Sequence, residues 1–194
     1  MFSFIIFLNI FFICVVGIGY YFKNIFVITN VKSLGELIIL GLFGISFILT
    51  LLHLLIPISD LVNIFFVIIG ILLFLINYKE IFKFLNLEKY LILMLIVLSV
   101  FLFFNYEPNE DFGFYHLPYV VNFKSEKIIF GLSNLQMNQG WNSLWLNLHT
   151  FFSFKFNDYK TIYILNILFY ISVNLLFIKN IFYSNLFKND KVQN

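Results

Sequence analysis

Alanine and arginine are absent from this 194-residue chain, and all 12 basic residues are lysine. Phe, Ile, Leu and Asn dominate instead, the bias of a strongly AT-rich coding sequence. The missing arginine is therefore not read as chemistry. Cysteine occurs once, as Cys14 in an apolar run. That excludes an internal disulfide and a thiolate cluster for a metal. Charge is scarce: 11% of residues, against about a quarter in a soluble domain. A net charge of +2 gives no reason to expect nucleic acid as a partner. There is no HExxH, no phosphate-binding glycine loop, and no Ser-His-Asp set that spacing would identify.

What is present is apolar. The chain is 61% hydrophobic, with a mean hydropathy of +0.95. Several runs approach or exceed the roughly 20 apolar residues that cross a bilayer. The expected class is an all-α, polytopic membrane protein with about five spans. These are Phe2–Phe22, Leu34–Ile56, Leu61–Tyr78, Tyr90–Phe104 and Thr161–Ile178. The first lacks the basic start and small-residue cleavage site of a signal peptide, so it counts as a helix. Residues 79–89, KEIFKFLNLEK, alternate charge and bulk as an interfacial segment does. The chain thus divides into a four-helix region (1–105), a long loop (106–160), and a fifth helix with a tail (161–194).

Lysine placement orients these spans. Lys23, Lys32, Lys79, Lys83, Lys89, Lys179, Lys188 and Lys191 fall on one side if all five cross. Lys124, Lys127, Lys155 and Lys160 fall on the other. The positive-inside rule then puts the 106–160 loop outside the cytoplasmic membrane and the carboxyl end in the cytoplasm. Within the spans, His53 either sits near the headgroups, bonded to a neighbour, or lines a polar cavity. Asn166, Tyr170 and Asn174 share one face at i, i+4, i+8. That stripe packs against other helices or lines a groove.

The loop is the longest interval too polar for lipid. It opens with Glu107, Glu110 and Asp111 and holds both tryptophans. A helix is expected over Phe112–Lys127, kinked or restarted at Pro118. Trp141 and Trp145 open a further surface helix running to about Phe154. A carboxylate at the membrane boundary can act as general base toward a sugar hydroxyl, or ligate a divalent cation that holds a phosphate. His116, Lys124 and Lys127 suit a lipid phosphate. Asn134, Gln136 and Asn142 suit a sugar. The competing reading is a surface loop whose acids are merely solvated. His116 and His149 stand 33 residues apart, too far to name a metal pair from spacing.

The segment DFGFYHLPYVVNFKSEKIIFGLSNLQMNQGWNSLWL resembles bacterial polytopic proteins of glycosyltransferase-C architecture. There an acid just after a transmembrane helix precedes a Tyr-His-Leu-Pro run. More narrowly, GLSNLQMNQGWNSLWL is similar to a membrane family from surface-polysaccharide loci, DUF8201-like, over roughly residues 34–148. The resemblance implies a membrane glycosyltransferase using a polyprenyl-phosphate-linked sugar. It implies a catalytic or cation-binding Asp111 with Glu110 as neighbour, supported by Tyr115 and His116. Gln136 stands where that narrower family often has His. The architecture usually has many more helices. The resemblance therefore implies an amino-terminal part of a larger enzyme, or a chain completed by a second membrane protein. The alternative is a non-catalytic assembly, export or polymerisation component of the same kind of pathway.

Overall fold

The computed structural model describes residues 2–29, 31, 33–104, 116–128, 144–157 and 159–189. All elements among them are helical. In chain order they are α1 (Phe2–Ile25), α2 (Leu34–His53), α3 (Asp60–Ile76), α4 (Tyr78–Phe104), α5 (Leu117–Ser125), α6 (Leu144–Phe152) and α7 (Ile164–Asn189). Two short 3₁₀ turns, Lys155–Asn157 and Lys160–Tyr163, join α6 to α7.

Local chemistry explains the boundaries. Ser33 and Glu36 form a capping box at the start of α2: the Ser33 hydroxyl accepts from the Glu36 amide at 3.1 Å. The Glu36 carboxylate accepts from the Ser33 amide at 3.2 Å. Ser59 caps α3 in the same sense, accepting from the Val62 amide at 3.4 Å. Pro57, in the α2–α3 turn, cannot donate to a helix continued through it. Asn77 ends α3, its side chain donating to the Leu73 carbonyl at 2.8 Å. There the chain bends by 85° into α4. Pro118 lies in the first turn of α5, where its missing N–H has no intrahelical partner to lose.

Three segments are long and apolar enough to cross a membrane: Ser3–Ile25, Leu34–His53 and Lys160–Ile178. A fourth is added if the bent pair Asp60–Ile76 and Tyr78–Leu85 counts as one span. This is compatible with a polytopic membrane protein. The count of about five is not reached among the described residues. Residues 79–89 do not form a separate interfacial piece, because they continue without a break into Tyr90–Phe104 as the single helix α4.

The core is built around α1. Cys14, Val15 and Val16 are fully buried. Gly41 of α2 lies against the Val15 carbonyl, and Gly19 of α1 lies against the Leu37 carbonyl. On the opposite side, Gly17 meets the Gly70 carbonyl of α3, and Gly70 meets Cys14. A Cβ at any of these four would overlap a neighbouring backbone or sulfur atom. The Cys14 thiol donates to the Phe66 carbonyl at 3.7 Å, and burial at this contact excludes the lone cysteine from surface chemistry. Large apolar side chains such as Leu61, Phe65, Leu72 and Ile76 of α3 point outward.

Two expectations for the long loop change. The helix foreseen over Phe112–Lys127 is described only as α5, with Val120 and Phe123 buried and His116, Pro118 and Val121 exposed. More importantly, the second loop helix is not a surface helix. All seven residues from Leu146 to Phe152 of α6 are buried. Phe151 and Phe152 pack on Phe11 of α1, with ring centroids 5.5 and 4.7 Å away. The reason lies in its sequence, LWLNLHTFF: it has no charged face to turn to solvent, and its asparagine and threonine find bonds inside.

The glycine contacts generate the first prediction. Gly41→Ala and Gly19→Ala each destabilise the protein by about 1–3 kcal/mol, the range for overpacking a close contact. Leu72→Ala, at an outward-facing site of α3, shifts it by under about 0.5 kcal/mol. Melting of the purified protein in detergent measures both. Equal effects at the two kinds of site would disprove backbone-level packing of α1.

Candidate functional site

The end of the bundle where α2 turns into α3 carries a seam of polar contacts to α5 and α6. His53, the last residue of α2, is fully buried. Its Nε2 lies 3.0 Å from the Glu126 carbonyl oxygen. A carbonyl only accepts, so Nε2 carries the proton and donates. The His53 carbonyl accepts from the Ile128 amide at 3.0 Å, and the Phe123 carbonyl accepts from the Ile58 amide at 2.9 Å. Of the two roles expected for His53, the structure shows a histidine bonded to a neighbouring segment.

Lys124 adds an ion pair. Its ammonium donates to Asp60 at the start of α3, and the second Asp60 oxygen accepts from the Lys155 amide at 3.2 Å. Burial pulls the Lys124 ammonium below its ordinary pKa, while Asp60 acts to raise it. Lys124 was expected to meet a lipid phosphate. It is instead committed to Asp60, because its side chain is only 9% exposed and a buried ammonium needs an opposite charge.

Facing these contacts is α6. Asn147 donates to the Thr50 hydroxyl of α2 at 2.7 Å, and Thr50 donates to the Ser46 carbonyl at 2.7 Å. Asn63 of α3 donates to the Thr150 carbonyl at 2.9 Å. Three residues within one apolar turn and a half, Asn147, His149 and Thr150, thus enter the core with polar side chains. Asn147 and Thr150 are bonded there. His149 is not: it is 7% exposed, and neither ring nitrogen has a hydrogen-bond partner among the described residues.

His149 is surrounded by rings. The imidazole of His116, at the start of α5, lies 5.9 Å away between centroids and is tilted by 31°. The Trp145 indole lies 5.5 Å from His149 and 5.6 Å from Phe169 of α7, edge to face. The fold therefore brings together His116 and His149, which spacing alone could not pair. It also links them through Trp145 to α7. Burial, and then the charge of His116, holds the His149 imidazole down at about 4 from its ordinary 6.5.

The other expected site residues sort simply. Lys127 is exposed just beyond α5. Glu110, Asp111, Tyr115, Asn134, Gln136 and Asn142 lie outside the described residues. Asn166 and Tyr170 are exposed on α7, and Asn174 donates back to the Tyr170 carbonyl at 2.8 Å. The asparagine stripe therefore faces outward and is not packed inside the bundle. His149, Asn147, Thr50 and Asp60 were not foreseen as site residues. The available signal was three polar residues set in an otherwise apolar LWLNLHTFF, which asks for partners inside the fold.

A family model described as a domain of unknown function (DUF8201) matches residues 1–193. Neither the curated proteins nor the solved structures contain a match to the chain.

The buried imidazole sets a pH dependence. His149 is neutral in the folded protein down to about pH 4, but titrates near 6.5 when unfolded. Protons therefore favour the unfolded chain between these values. Stability is full above about pH 6.5 and falls toward pH 4, by on the order of 3 kcal/mol. His149→Gln removes that share of the slope. Melting from pH 4 to 8, in chelator, compares the two proteins. Identical slopes would show that His149 is not held neutral.

Proposed function

The chain belongs to the DUF8201 family, and we propose that it is a membrane glycosyltransferase, or the amino-terminal part of one, of glycosyltransferase-C-like architecture. It transfers a sugar from a polyprenyl-phosphate-linked donor during synthesis of cell-surface polysaccharide or glycolipid. The observation that supports this reading most is the run of rings from His116 through His149 and Trp145 to Phe169. It sets His116 beside a helix of spanning length, an arrangement that would suit a substrate with a polar headgroup and an apolar tail.

In this mechanism Asp111 takes the proton from an acceptor hydroxyl, with Glu110 beside it in sequence. The acceptor oxygen bonds to the anomeric carbon as the bond to phosphate breaks. The leaving polyprenyl phosphate takes the electron pair. Lys127, exposed and free of the Asp60 ion pair that occupies Lys124, neutralises its charge. Tyr115 and His116 support the acid and the donor, and Asn134, Gln136 and Asn142 hydrogen-bond the sugar. If all five apolar runs cross, the lysine bias puts loop 106–160 outside and the carboxyl end in the cytoplasm. A divalent cation at the acids would serve the same phosphate.

One observation favours a second reading, a non-catalytic component of such a pathway. Asn166 and Tyr170 face outward on a helix of spanning length. Amides in hydrocarbon need partners, so this face suits a helix of another membrane chain.

The two readings separate on Asp111→Asn. Catalysis expects that variant to insert and melt as the parent does. Its transfer of labelled sugar from a polyprenyl-phosphate donor drops at least about a hundredfold. Unchanged transfer would rule out an essential carboxylate there. The component reading expects tolerance at Asp111 and His116, and sensitivity at Trp145 and at Asn166 and Asn174.

A further inference from the structure

We propose that His116 and His149 form a binding site for a divalent transition-metal ion of the zinc class, held between the start of α5 and the middle of α6. The site stands on geometry and does not require that the chain transfer sugar.

The first argument is the state of His149. An imidazole has a donor and an acceptor when neutral. Both nitrogens of His149 are buried and without a hydrogen-bond partner among the described residues. Leaving such groups unsatisfied in the interior is unfavourable, because their hydrogen bonds to water are lost without replacement. Its neighbours Asn147 and Thr150 on the same helix each make a hydrogen bond. Other buried side chains, such as Asn147 and Asn63, leave one polar atom unmatched, whereas His149 alone among the described residues leaves both ring nitrogens so, on a helix secured to α2 and α3.

The second argument is distance. The two imidazole centroids are 5.9 Å apart. Two imidazoles joined by a direct hydrogen bond have centroids no more than about 5.2 Å apart, from an N···N distance near 3 Å and ring radii of about 1.1 Å. The observed separation is too long for that. Two imidazoles sharing an ion at about 2.0–2.1 Å from each nitrogen place their centroids about 5.2 Å apart at a tetrahedral angle and up to about 6.4 Å apart as that angle opens. The observed 5.9 Å corresponds to an opened angle of about 135°, so metal binding draws the two rings together by a few tenths of an ångström.

The ligand chemistry then selects the ion. Imidazole nitrogens suit zinc, cobalt, nickel and copper, whereas magnesium and calcium take oxygen ligands. The rest of the chain offers little competition. It contains three histidines and one cysteine. His53 Nε2 is bonded to Glu126, and the Cys14 thiol is buried against Phe66. Two protein nitrogens leave the remaining coordination positions for water, a phosphate oxygen or a carboxylate.

Cobalt(II) is the probe, since it replaces zinc and is coloured. The protein is purified without a polyhistidine tag, in detergent, and stripped with chelator. The expected result is saturable binding of one cobalt per chain, with visible absorption and quenching of tryptophan emission by the ion near Trp145. Zinc displaces the cobalt and magnesium does not. His116→Gln, at an exposed position, weakens cobalt binding at least about tenfold, the scale that outer-shell partners of a metal already command. His149→Gln does the same, and its melting in chelator checks that it folds. No saturable absorption in the parent protein would overturn the proposal. So would unchanged affinity in a folded His116→Gln variant, or displacement by magnesium as readily as by zinc. Cobalt binding is read without any assay of sugar transfer, and transfer is compared only in one variant. Intact cobalt binding in Asp111→Asn, alongside lost transfer, would separate the metal site from the catalytic reading.

Discussion

Close approach of α1 to α2 and α3 is the constraint on which the rest of the structure depends. Gly41 and Gly19 serve one side of α1, and Gly17 and Gly70 the other. Two glycines separated by a single residue on α1 thus face different neighbours. Helices of spanning length gain little from hydrophobic exclusion of one another, so their association rests on van der Waals fit and backbone proximity. Small residues at the crossing points supply that fit. Where the glycines stop, larger side chains open a space on α1 at Phe11, and Phe151 and Phe152 of α6 occupy it.

The position of α6 then decides what chemistry the protein can hold. A nine-residue helix is too short to span a bilayer. Buried in the bundle, it is tied to α2 through the Asn147 side chain on Thr50, and to α3 through its Thr150 carbonyl on Asn63. Those bonds fix its rotation and so fix where His149 stands. The segment ending in α5 is fastened just as firmly, by the Lys124–Asp60 pair and two backbone bonds to the α2–α3 turn. Each histidine of the pair therefore sits on an element held by the same end of the bundle. A site whose supports are shared in this way keeps its geometry without a long lever between its parts.

Much of the architecture was legible before any coordinates. Apolar runs marked the candidate spans, and α2 and α3 begin at or within one residue of the expected Leu34 and Leu61. These features depend on composition and on residues adjacent in sequence. Missed was the continuity of α4 through residues 79–89, where charged residues suggested an interfacial break. Charge can be accommodated on a continuous helix if it faces outward, as the exposed Lys83–Glu80 pair does. Reading α6 as a surface helix failed for the opposite reason. Trp145, with Trp141 before it in sequence, suggested an interface, but the lack of a charged face was the stronger signal.

The sequence by itself determined that this is a helical chain with spanning-length segments and a polar interval rich in acids, aromatics and amides. Composition suffices for that, because bilayer thickness and backbone hydrogen bonding leave few alternatives. Only the tertiary structure decided that Lys124 belongs to Asp60, that the asparagine stripe of α7 faces outward, and that His116 meets His149. Those relations span 64 residues in the first case and 33 in the last. They follow from how closely glycine lets three helices approach, and from which short helix fits the space beside them.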